Sequence, residues 1–521
     1  MSLLDDMISI LDGSGDGIPG GGRPRAKESE IDARLDFYAN TSSGFVVTDR
    51  HRDAARAIFC EGRNVFLTGG AGTGKTTFVK TVVLPELDRR GINWSVTAMT
   101  GIAGSHLSGK TLHSWAGIYK GVVEWPEHEC DEPNPQEMTE EQLQDKYETF
   151  YARWARPTKP RAHAIVVRRI RSAEVLLIDE VSMCHGNGLL GFIDYLFKMV
   201  RNSAKPFGGI QMVLIGDFAQ LPPVEQRKDI PRPDWAFMSR SWDDARVKTV
   251  ELDRVFRQGD NRYIEFLHSI RNGEPVDMDY VRQFHRRLEP DDTKNYTFLV
   301  PVNTQADQLN QQALVHYEEP TMALDARFDI HDEQLREWED IPEVKKKLVD
   351  SLRLVDKTLF LRVGCPVMFA RNDPGGLFVN GTRGFLRAVS SDRNTVTVGV
   401  PTDDGERHII LGRWRYTMDS KQDPEDEMTV WRGESMVTIP RWPAILQFPL
   451  IPATALTIHK SQGASMDAAI LALTETFAPG HVYVALSRLR SPKGLVIINP
   501  EFLVRTDPYV LAFYRSLKND G

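Results

Sequence analysis

Short, predominantly apolar runs alternate with amphipathic segments from about Phe45 onward. Runs of this length are typical of parallel strands that are buried on both faces. The first series comprises NVFLT (64–68), WSVTA (94–98), VLLID (175–179) and MVLIGD (212–217). It predicts a doubly wound α/β domain that closes near VKTVEL at 247–252. A second series predicts another α/β domain and comprises TFLVPVN (297–303), AAILAL (468–473) and GLVIINP (494–500).

Three segments depart from this alternation. Residues 1–40 are rich in glycine and charge and predict a disordered arm. Residues 121–172 join an acidic block to a basic one, which predicts either a solvated surface insertion or a basic face along an anionic polymer. Residues 365–450 contain strand-like runs between Gly- and Asp-rich turns, so a small inserted β-barrel is expected there.

Composition narrows the class of protein. A chain of 521 residues exceeds what one hydrophobic core usually supports, so two large domains are expected. The absence of a bilayer-length apolar run and of a secretion signal predicts a cytoplasmic protein, or a nuclear one in a eukaryote. The four cysteines stand far apart and are expected to be reduced. The net charge of −8 does not by itself favour a nucleic-acid partner, but fields are screened beyond roughly 10 Å, so local charge matters more.

The segment GGAGTGKT at 69–76 follows a predicted strand and opens a predicted helix. Glycines let backbone N–H groups approach phosphates, and a helix N-terminus favours negative charge. Lys75 is expected to reach the β- and γ-phosphates, and the Thr76 hydroxyl to ligate Mg²⁺. The predicted nucleotide contacts here are Gly69, Gly70, Ala71, Gly72, Thr73, Gly74, Lys75, Thr76 and Thr77.

An acidic pair ends the predicted strand VLLID. Beside a phosphate-binding loop, Asp179 is placed to hold Mg²⁺ through a water molecule, and Glu180 to deprotonate the attacking water. The alternative interpretation of this pair is a helix cap. Arg257 and Arg488 each follow an apolar segment, and hydrolysis needs positive charge near the departing phosphate. By spacing alone, each arginine is more typical of a surface ion pair.

Several segments, in order along the chain, resemble the Pif1 family of superfamily 1B DNA helicases. The most specific is KPFGGIQMVLIGDFAQLPPV at 205–224. The others are TGIAGSHLSGKTLHSWAGI (100–118), VNGTRGFL (379–386), LTIHKSQGASMD (456–467) and HVYVALSRLRSPKGL (481–495). The resemblance extends from about Phe45 to Leu517 and leaves out the N-terminal arm and the insertion.

The resemblance implies a plan of two RecA-like P-loop domains in tandem. Domain 1A would occupy 45–250, with a wedge-type insertion, the 1B region, at 121–172. Domain 2A would occupy 251–364 and 451–517, split by an SH3-like domain 2B at 365–450. The implied barrel agrees with the turn-rich pattern of that segment.

The resemblance also assigns residues to the nucleotide site. Gln220 matches a residue that senses the γ-phosphate, and Arg257 and Arg488 match phosphate-contacting arginines. Relatives usually place a glutamine that reads the adenine edge where this chain has His51. Neutral histidine offers one hydrogen-bond donor and one acceptor, but at a different distance from the backbone than the glutamine amide. The preference for ATP over other nucleoside triphosphates is therefore expected to be less strict.

A track for single-stranded DNA is implied as well. The segment 457–463 would lie along the strand and pass its position to the nucleotide site, so Gly463, where a sharp turn is expected, is grouped with the nucleotide contacts. Hydroxyl, imidazole and ammonium groups donate to phosphate oxygens, as such a track requires. The predicted DNA contacts are Thr100, His113, Ser114, Asn303, Thr457, His459, Lys460 and Ser461.

Together these expectations describe an ATP- and Mg²⁺-dependent DNA helicase. It would move 5′→3′ along single-stranded DNA as a monomer and unwind forked duplexes in replication, repair or recombination. RNA–DNA hybrids and four-stranded guanine folds are further candidate substrates. A RecD-like helicase shares this plan, although KPFGGIQ and VNGTRG favour the Pif1 side. The other classes are a remodelling ATPase that does not act on DNA and a nucleic-acid-binding module with inactive ATPase motifs.

Overall fold

The computed structural model describes residues 25–42, 45–99, 110–118, 160–223, 233–289, 292, 296–331, 341–352, 355–371, 373, 375–378, 381–402, 405–417, 427–432, 435–440 and 442–519. The chain divides into two compact units. The first unit consists of Met1–Met278, Thr476–Pro492 and Phe502–Gly521, and the second of Asp279–Glu475 and Lys493–Glu501.

A six-stranded sheet forms the centre of the first unit. Its strands are β1 (Val65–Gly69), β2 (Trp94–Ala98), β3 (Lys110–Thr111), β4 (Val175–Asp179), β5 (Gln211–Ile215) and β6 (Lys248–Leu252). Their order is β3-β2-β4-β5-β1-β6, and every neighbouring pair is parallel. The carboxyl ends of these strands therefore meet at one edge, which is where ligands bind in open parallel sheets.

Helices cover both faces of this sheet. They are α1 (Glu28–Thr41), α2 (Asp49–Phe59), α3 (Lys75–Phe78), α4 (Leu84–Arg89), α5 (Leu112–Ala116), α6 (Pro160–Ser172), α7 (Gly191–Arg201), α8 (Arg240–Asp244), α9 (Asn261–Arg271), α13 (His481–Ser487) and α14 (Pro508–Asn519). Side-chain caps satisfy orphan N–H groups at several starts: Asp260 accepts from the Tyr263 N–H at 2.9 Å, and Ser239 from the Trp242 N–H at 3.3 Å.

Both faces of the sheet are apolar because successive residues of a strand point to opposite sides. Phe66 and Leu214 join one buried cluster, which also contains Tyr514 of α14. Leu67 and Val213 join a second cluster with α1 and α2. The strands are therefore buried on both sides, as their apolar runs predicted.

The second unit contains a smaller parallel sheet and several antiparallel ones. The parallel strands are β7 (Thr297–Val300), β20 (Ala455–Thr457), β21 (Ala469–Leu471) and β22 (Leu495–Ile497), in the order β20-β7-β21-β22. The antiparallel strands are β8 (Met322–Asp325), β9 (Arg327–Asp329), β10 (Thr358–Leu361), β11 (Pro366–Phe369), β12 (Arg383–Val389), β13 (Thr395–Thr402), β14 (Gly405–Gly412), β15 (Trp414–Thr417), β16 (Glu427–Arg432), β17 (Ser435–Pro440), β18 (Ala444–Gln447) and β19 (Leu450–Pro452).

The largest antiparallel sheet has the order β14-β13-β12-β11-β19, and smaller ones are β15-β18-β9, β10-β8 and β16-β17. The remaining helices are α10 (Met278–Arg282), which begins at the boundary between the units, α11 (Asn303–Ala313) and α12 (Ile341–Ser351). Ala306 of α11 packs in a cluster with Phe298 and Ala455 of the parallel sheet.

The predicted strands of both series are confirmed, and the described part of 365–450 forms antiparallel strands, as its turn-rich pattern indicated. The disordered arm predicted for 1–40 was wrong for α1, because Ile31, Leu35 and Tyr38 form a buried face within its charged sequence. Residues 1–24 lie outside the described residues.

Two boundaries also differ from the prediction. Residues 160–172, assigned to the insertion, form α6, whose Val167 and Ile170 are buried in the core of the first unit. Residues 119–159 lie outside the described residues. The first unit extends to Met278 rather than 250, and it also contains 476–492 and 502–521, of which 476–492 and 502–517 were assigned to domain 2A. The reason is apolar packing, since α14 covers the sheet of the first unit.

None of the described helices has the length and apolar content that crossing a membrane requires.

Candidate active site

The loop between β1 and α3 has the geometry of a phosphate cradle. Gly72 has φ of 82°, and a Cβ there would lie 2.6 Å from the Cβ of Arg257, so only glycine lets the two segments approach. Lys75 begins α3, and its Nζ donates to the carbonyls of Gly69 at 2.7 Å and Gly70 at 3.1 Å. Burial lowers the pKa of Lys75, and nearby carboxylates, first that of Asp217, oppose this shift.

The predicted acidic pair lies at the same edge of the sheet, after β4. Asp179 is buried, and its Oδ1 accepts the Glu180 N–H at 2.9 Å. Glu180 has a left-handed backbone (φ 53°, ψ 44°), which is uncommon for a side-chain-bearing residue and is found often at functional sites. Burial, followed by the charge of Glu180, raises the pKa of Asp179 to about 7. A bound cation would relieve this cost, and a donor set of the Thr76 hydroxyl and Asp179 suits Mg²⁺, which prefers oxygen ligands.

The two predicted arginines lie together in the first unit. Arg257 donates from Nη1 to the Ser487 carbonyl at 3.4 Å. Arg488 follows α13, is 2% exposed, and donates from Nη2 to the Ser487 hydroxyl at 2.8 Å. Burial and then the neighbouring Arg257 lower the pKa of Arg488 to about 10, while Glu180 opposes the shift. The two arginines and Glu180, the candidate general base, therefore lie close together.

Gln220 lies beside the start of α13. Its N–H donates to the Asp217 carbonyl at 2.9 Å, and its side chain is 5% exposed. Gly480, with φ of 78°, precedes α13, and a Cβ there would collide with the carbonyl of Gln220. The Oε1 of Gln220 is buried without a hydrogen-bond partner among the described residues. Burying an amide oxygen without a hydrogen bond costs free energy, so a hydrogen-bond donor is expected at this position.

A buried network that sequence reasoning missed supports the phosphate-binding loop. Asp217 is fully buried and accepts from Arg271 Nε at 3.2 and 3.1 Å. It also accepts from the hydroxyls of Tyr483 at 3.3 Å and Tyr514 at 3.0 Å. The Tyr483 hydroxyl in turn accepts the Ala71 N–H at 2.8 Å. Burial opposes ionisation of Asp217, but Arg271, followed by Lys75, outweighs it, so the pKa of this carboxyl is lowered.

The sequence carried only a partial signal for this network. Asp217 and Tyr483 lie inside the segments GDFAQLPP and HVYVALSR that define the resemblance, whereas Arg271 and Tyr514 lie outside every such segment. A motif indicates that a segment matters but not which of its polar side chains is buried.

In the second unit, the segment 457–463 forms a turn after β20. The Lys460 N–H donates to the Thr457 hydroxyl at 3.3 Å, and the fully buried Ser461 donates from its hydroxyl to the Ile458 carbonyl at 2.8 Å. Gly463 has φ of 81°, in agreement with the expected sharp turn. Thr457 and Ser461 thus shape the turn that carries Lys460, and their contact with DNA stays a prediction.

The other predicted DNA contacts are distributed over both units. His459 is half-buried, and burial lowers its pKa. Asn303 is exposed at the start of α11 in the second unit, and His113 lies in α5 of the first. Thr100 and the side chain of Ser114 lie outside the described residues.

His51 is part of the helix cap of α2. Its Nδ1 accepts the Thr48 N–H at 3.1 Å, and its ring packs 4.9 Å from Phe78 and 5.5 Å from Phe45. Burial lowers the pKa of His51 to about 4, so the imidazole is neutral. Because Nδ1 accepts, the proton lies on Nε2, which is buried without a partner among the described residues.

A parallel sheet that presents a phosphate-binding loop, an acidic pair and two arginines at one edge defines a P-loop nucleoside triphosphatase. Residues 47–287 match the family profile described as an AAA domain. The chain is 32% identical to the ATP-dependent DNA helicase Pif1 of Bdellovibrio bacteriovorus over 469 residues, 89% of this chain and 91% of that protein. It is 31% identical to the ATP-dependent DNA helicase PIF1 of Homo sapiens, over 89% of this chain and 62% of that protein.

Solved structures agree with these relatives. The crystal structure of Pif1 helicase from Candida albicans is similar with a TM-score of 0.70 and 26% identity, covering 91% of this chain and 100% of that one. Pif1 helicase from Bacteroides in complex with ADP-AlF3 and ssDNA is similar with a TM-score of 0.64 and 28% identity, covering 92% and 98%. The chain belongs to the Pif1 helicase family and has its tandem RecA-like P-loop fold.

Proposed function

We propose that this protein is an ATP-dependent DNA helicase that couples ATP hydrolysis to movement along single-stranded DNA and to separation of the duplex. The observation that carries the proposal is that Lys75, Glu180 and Arg488 cluster in the first unit of a chain 32% identical to a Pif1 helicase over 89% of its length. Relatives with this name are ATP-dependent DNA helicases.

Different residues of the first unit have different roles in the hydrolysis of ATP. Water attacks the γ-phosphorus, the bond to the bridging oxygen breaks, and Glu180 accepts the proton of the water. Lys75 and the two arginines balance the charge that develops on the phosphate oxygens. Mg²⁺, held by Thr76 and through water by Asp179, would neutralise the β- and γ-phosphates when bound.

The track for the single strand is proposed in the second unit, at the turn that carries His459 and Lys460 and at Asn303 of α11. Similar proteins have been solved bound to ssDNA and at forked dsDNA, which supports single-stranded and forked DNA as substrates here. We further propose 5′→3′ movement by a monomer, an SH3-like 2B domain within 365–450 and a wedge within 121–172. RNA–DNA hybrids, four-stranded guanine folds and roles in replication, repair or recombination are proposals at the level of the family.

The experiment is hydrolysis of ATP with and without single-stranded DNA, beside unwinding of duplexes with a 5′ or a 3′ tail. Stimulation by DNA and unwinding from the 5′ tail are expected. Glu180→Gln should retain ATP binding and lose hydrolysis by about a hundredfold or more, since general base catalysis contributes that much. Lys75→Ala should lose both, whereas Lys346→Ala, an exposed lysine of α12, should lose neither.

Hydrolysis that does not respond to DNA, together with no unwinding, would favour the remodelling ATPase instead. Full unwinding by Glu180→Gln would contradict the assignment of the hydrolysis site.

A further inference from the structure

The second unit contains a cavity of about 250 Å³ between α11, β10 and the end of β20. Thr457 and Lys460, both predicted to contact DNA, line it, so the cavity adjoins the proposed track. Among the described residues that line its other walls there is no lysine or arginine. Within the described lining, the cation that a phosphate group can contact is Lys460.

One wall is a polar face of α11. Asn303, Asp307 and Gln311 follow each other at intervals of four residues, so their side chains lie on one face of the helix, and all three are exposed. The helix is fixed against β20, because the Asn310 amide donates to the Ala455 carbonyl at 3.0 Å and accepts the Ala455 N–H at 2.8 Å. The polar face is thus held in a constant position.

The facing wall carries Asp356 and Phe360. Gln447 anchors this segment by donating to the carbonyls of Asp356 at 3.1 Å and Lys357 at 3.0 Å. Along β10, Leu359 is fully buried, whereas Phe360 points to the other side and is 47% exposed. An exposed aromatic ring beside a polar cavity is a surface on which a planar ring can stack.

The charges favour a base over a phosphate inside the cavity. Burial and then the charge of Asp307 raise the pKa of Asp356, and Lys460 opposes the shift, so these three groups are neighbours. Carboxylates repel phosphate but accept hydrogen bonds from exocyclic amino groups, as aspartate does from cytosine N4. Phe360 adds the stacking contact that single-strand binding proteins use.

We propose that this cavity is a nucleobase pocket of the single-strand track, which holds a base bearing an exocyclic amino group while Lys460 contacts the adjoining phosphate. The base stacks on Phe360 and donates to Asp307. Thymine carries the acceptor O4 where cytosine carries its N4 amino group, so it keeps the stacking contact but turns an acceptor towards Asp307. The pocket thereby gives the track a preference for cytosine over thymine. This inference rests on the proposed function, because it takes DNA as the ligand.

The test is equilibrium binding of the full chain to fluorescent oligo-dC and oligo-dT of equal length at about pH 8, without nucleotide. The parent protein should bind oligo-dC several-fold more tightly. Asp307→Asn should reduce the ratio of the two affinities towards one. Phe360→Ala should weaken binding of both oligomers, by about tenfold for oligo-dC, given the size of base–aromatic stacking.

Two matched variants separate the pocket from general effects. Glu319→Gln removes one exposed carboxylate of the same unit outside the cavity, and Ile410→Ala truncates an apolar side chain that is 72% exposed. Neither should change the ratio of affinities. Equal affinity of the parent for both oligomers, or an unchanged ratio of affinities in Asp307→Asn, would overturn the proposed pocket. If DNA still stimulates ATP hydrolysis in that case, the proposed helicase function is unaffected. No binding of either oligomer overturns both.

Discussion

His51 carries its proton on the ring nitrogen that has no partner, and this has a consequence for stability. The pKa of a histidine is near 6.5 in an unfolded chain, and burial lowers that of His51 to about 4. As the pH falls from 6.5 towards 4, the unfolded chain binds a proton that the folded chain refuses, so stability present at neutral pH is lost. At pH 5 this loss is about 2 kcal/mol.

His51→Gln should therefore make the protein less sensitive to acid. Glutamine does not titrate, and it suits the third position of a capping box. The expected result is a smaller drop in melting temperature between pH 7.5 and pH 5 for the variant than for the parent. His316→Gln, at a partly exposed position of the second unit, is the control and should follow the parent. Identical drops for His51→Gln and the parent would show that His51 titrates normally.

The same nitrogen bears on the choice of nucleotide. A single N–H donor at Nε2 can pair with N7, which adenine and guanine share, whereas glutamine can also accept from the adenine amino group. The parent should bind GTP and ATP with similar affinity, and His51→Gln should shift the preference to ATP. Competition against a fluorescent ATP analogue measures both affinities. A strong preference of the parent for ATP would mean that another group reads the base.

At the scale of elements, helix α13 holds the phosphate-binding loop through one hydroxyl. Tyr483 accepts the Ala71 N–H and donates to Asp217. Tyr483→Phe leaves both groups without this partner in a buried site, which costs roughly 1–3 kcal/mol. The affinity for ATP should fall by about tenfold, with a smaller effect on kcat, since the loop binds phosphate in the ground state.

Tyr514→Phe is the matched comparison for this prediction. Its hydroxyl also donates to Asp217, but its other described partners are the N–H of Phe218 and the hydroxyl of Thr68 in β1, just before the phosphate-binding loop at 69–76. It should lower the melting temperature and leave the KM for ATP nearly unchanged. If both variants raise KM equally, the network acts through Asp217 rather than through Ala71.

The segment KPFGGIQ, the most specific part of the resemblance, is fixed by α7. Arg201, 1% exposed, donates from Nη1 to the Ala173 carbonyl at 2.7 Å, just beyond α6, and from Nε to the Gly208 carbonyl at 2.9 Å. Phe207 has a left-handed backbone (φ 51°), and its N–H donates to Asp194 at 2.5 Å. Asp194 and Arg201 of α7 thus fix the strained turn at Phe207, and Arg201 also fixes the C-terminal end of α6.

Arg201→Met should destabilise the first unit by about 3 kcal/mol, because it leaves buried carbonyls without donors. Methionine keeps much of the volume, so the loss reports hydrogen bonding rather than a cavity. Thermal unfolding measures it. The control is Arg240→Met, an exposed arginine of α8 paired with Asp244, which should change stability by less than about 0.5 kcal/mol. A similarly small effect of Arg201→Met would contradict the structural role.

The apolar runs predicted the exact bounds of β2 and β4, because a parallel strand that is buried on both faces consists mainly of consecutive apolar residues. They missed α1, because charged residues interrupt its buried apolar face. The resemblance assigned Arg488 to domain 2A, whereas the residue lies in the first compact unit. Contacts such as that of Tyr483 with Ala71 join residues 412 positions apart. No local pattern encodes such a pairing, so the sequence predicts candidate residues for hydrolysis but not the buried network behind them.

At the scale of the whole molecule, a net charge of −8 has to be reconciled with an anionic substrate. Long-range attraction cannot supply the affinity, so binding should depend on a few local cations and on uncharged contacts such as stacking. Each phosphate that a cation neutralises on a single strand contributes about −0.7 to the slope of log affinity against log salt. The slope for this protein should therefore be shallow.

Lys460 is the cation whose share of this slope can be measured. Lys460→Gln should reduce the magnitude of the slope by about 0.7, because one phosphate contact is lost. The measurement is the affinity for oligo-dT from 50 to 200 mM NaCl, where stacking is retained and base-specific hydrogen bonds are few. Lys346→Gln removes the same charge from the exposed side of α12 and should leave the slope unchanged. Equal slopes in the two variants would place the phosphate path away from the turn after β20, and the track would then have to be sought elsewhere in the chain.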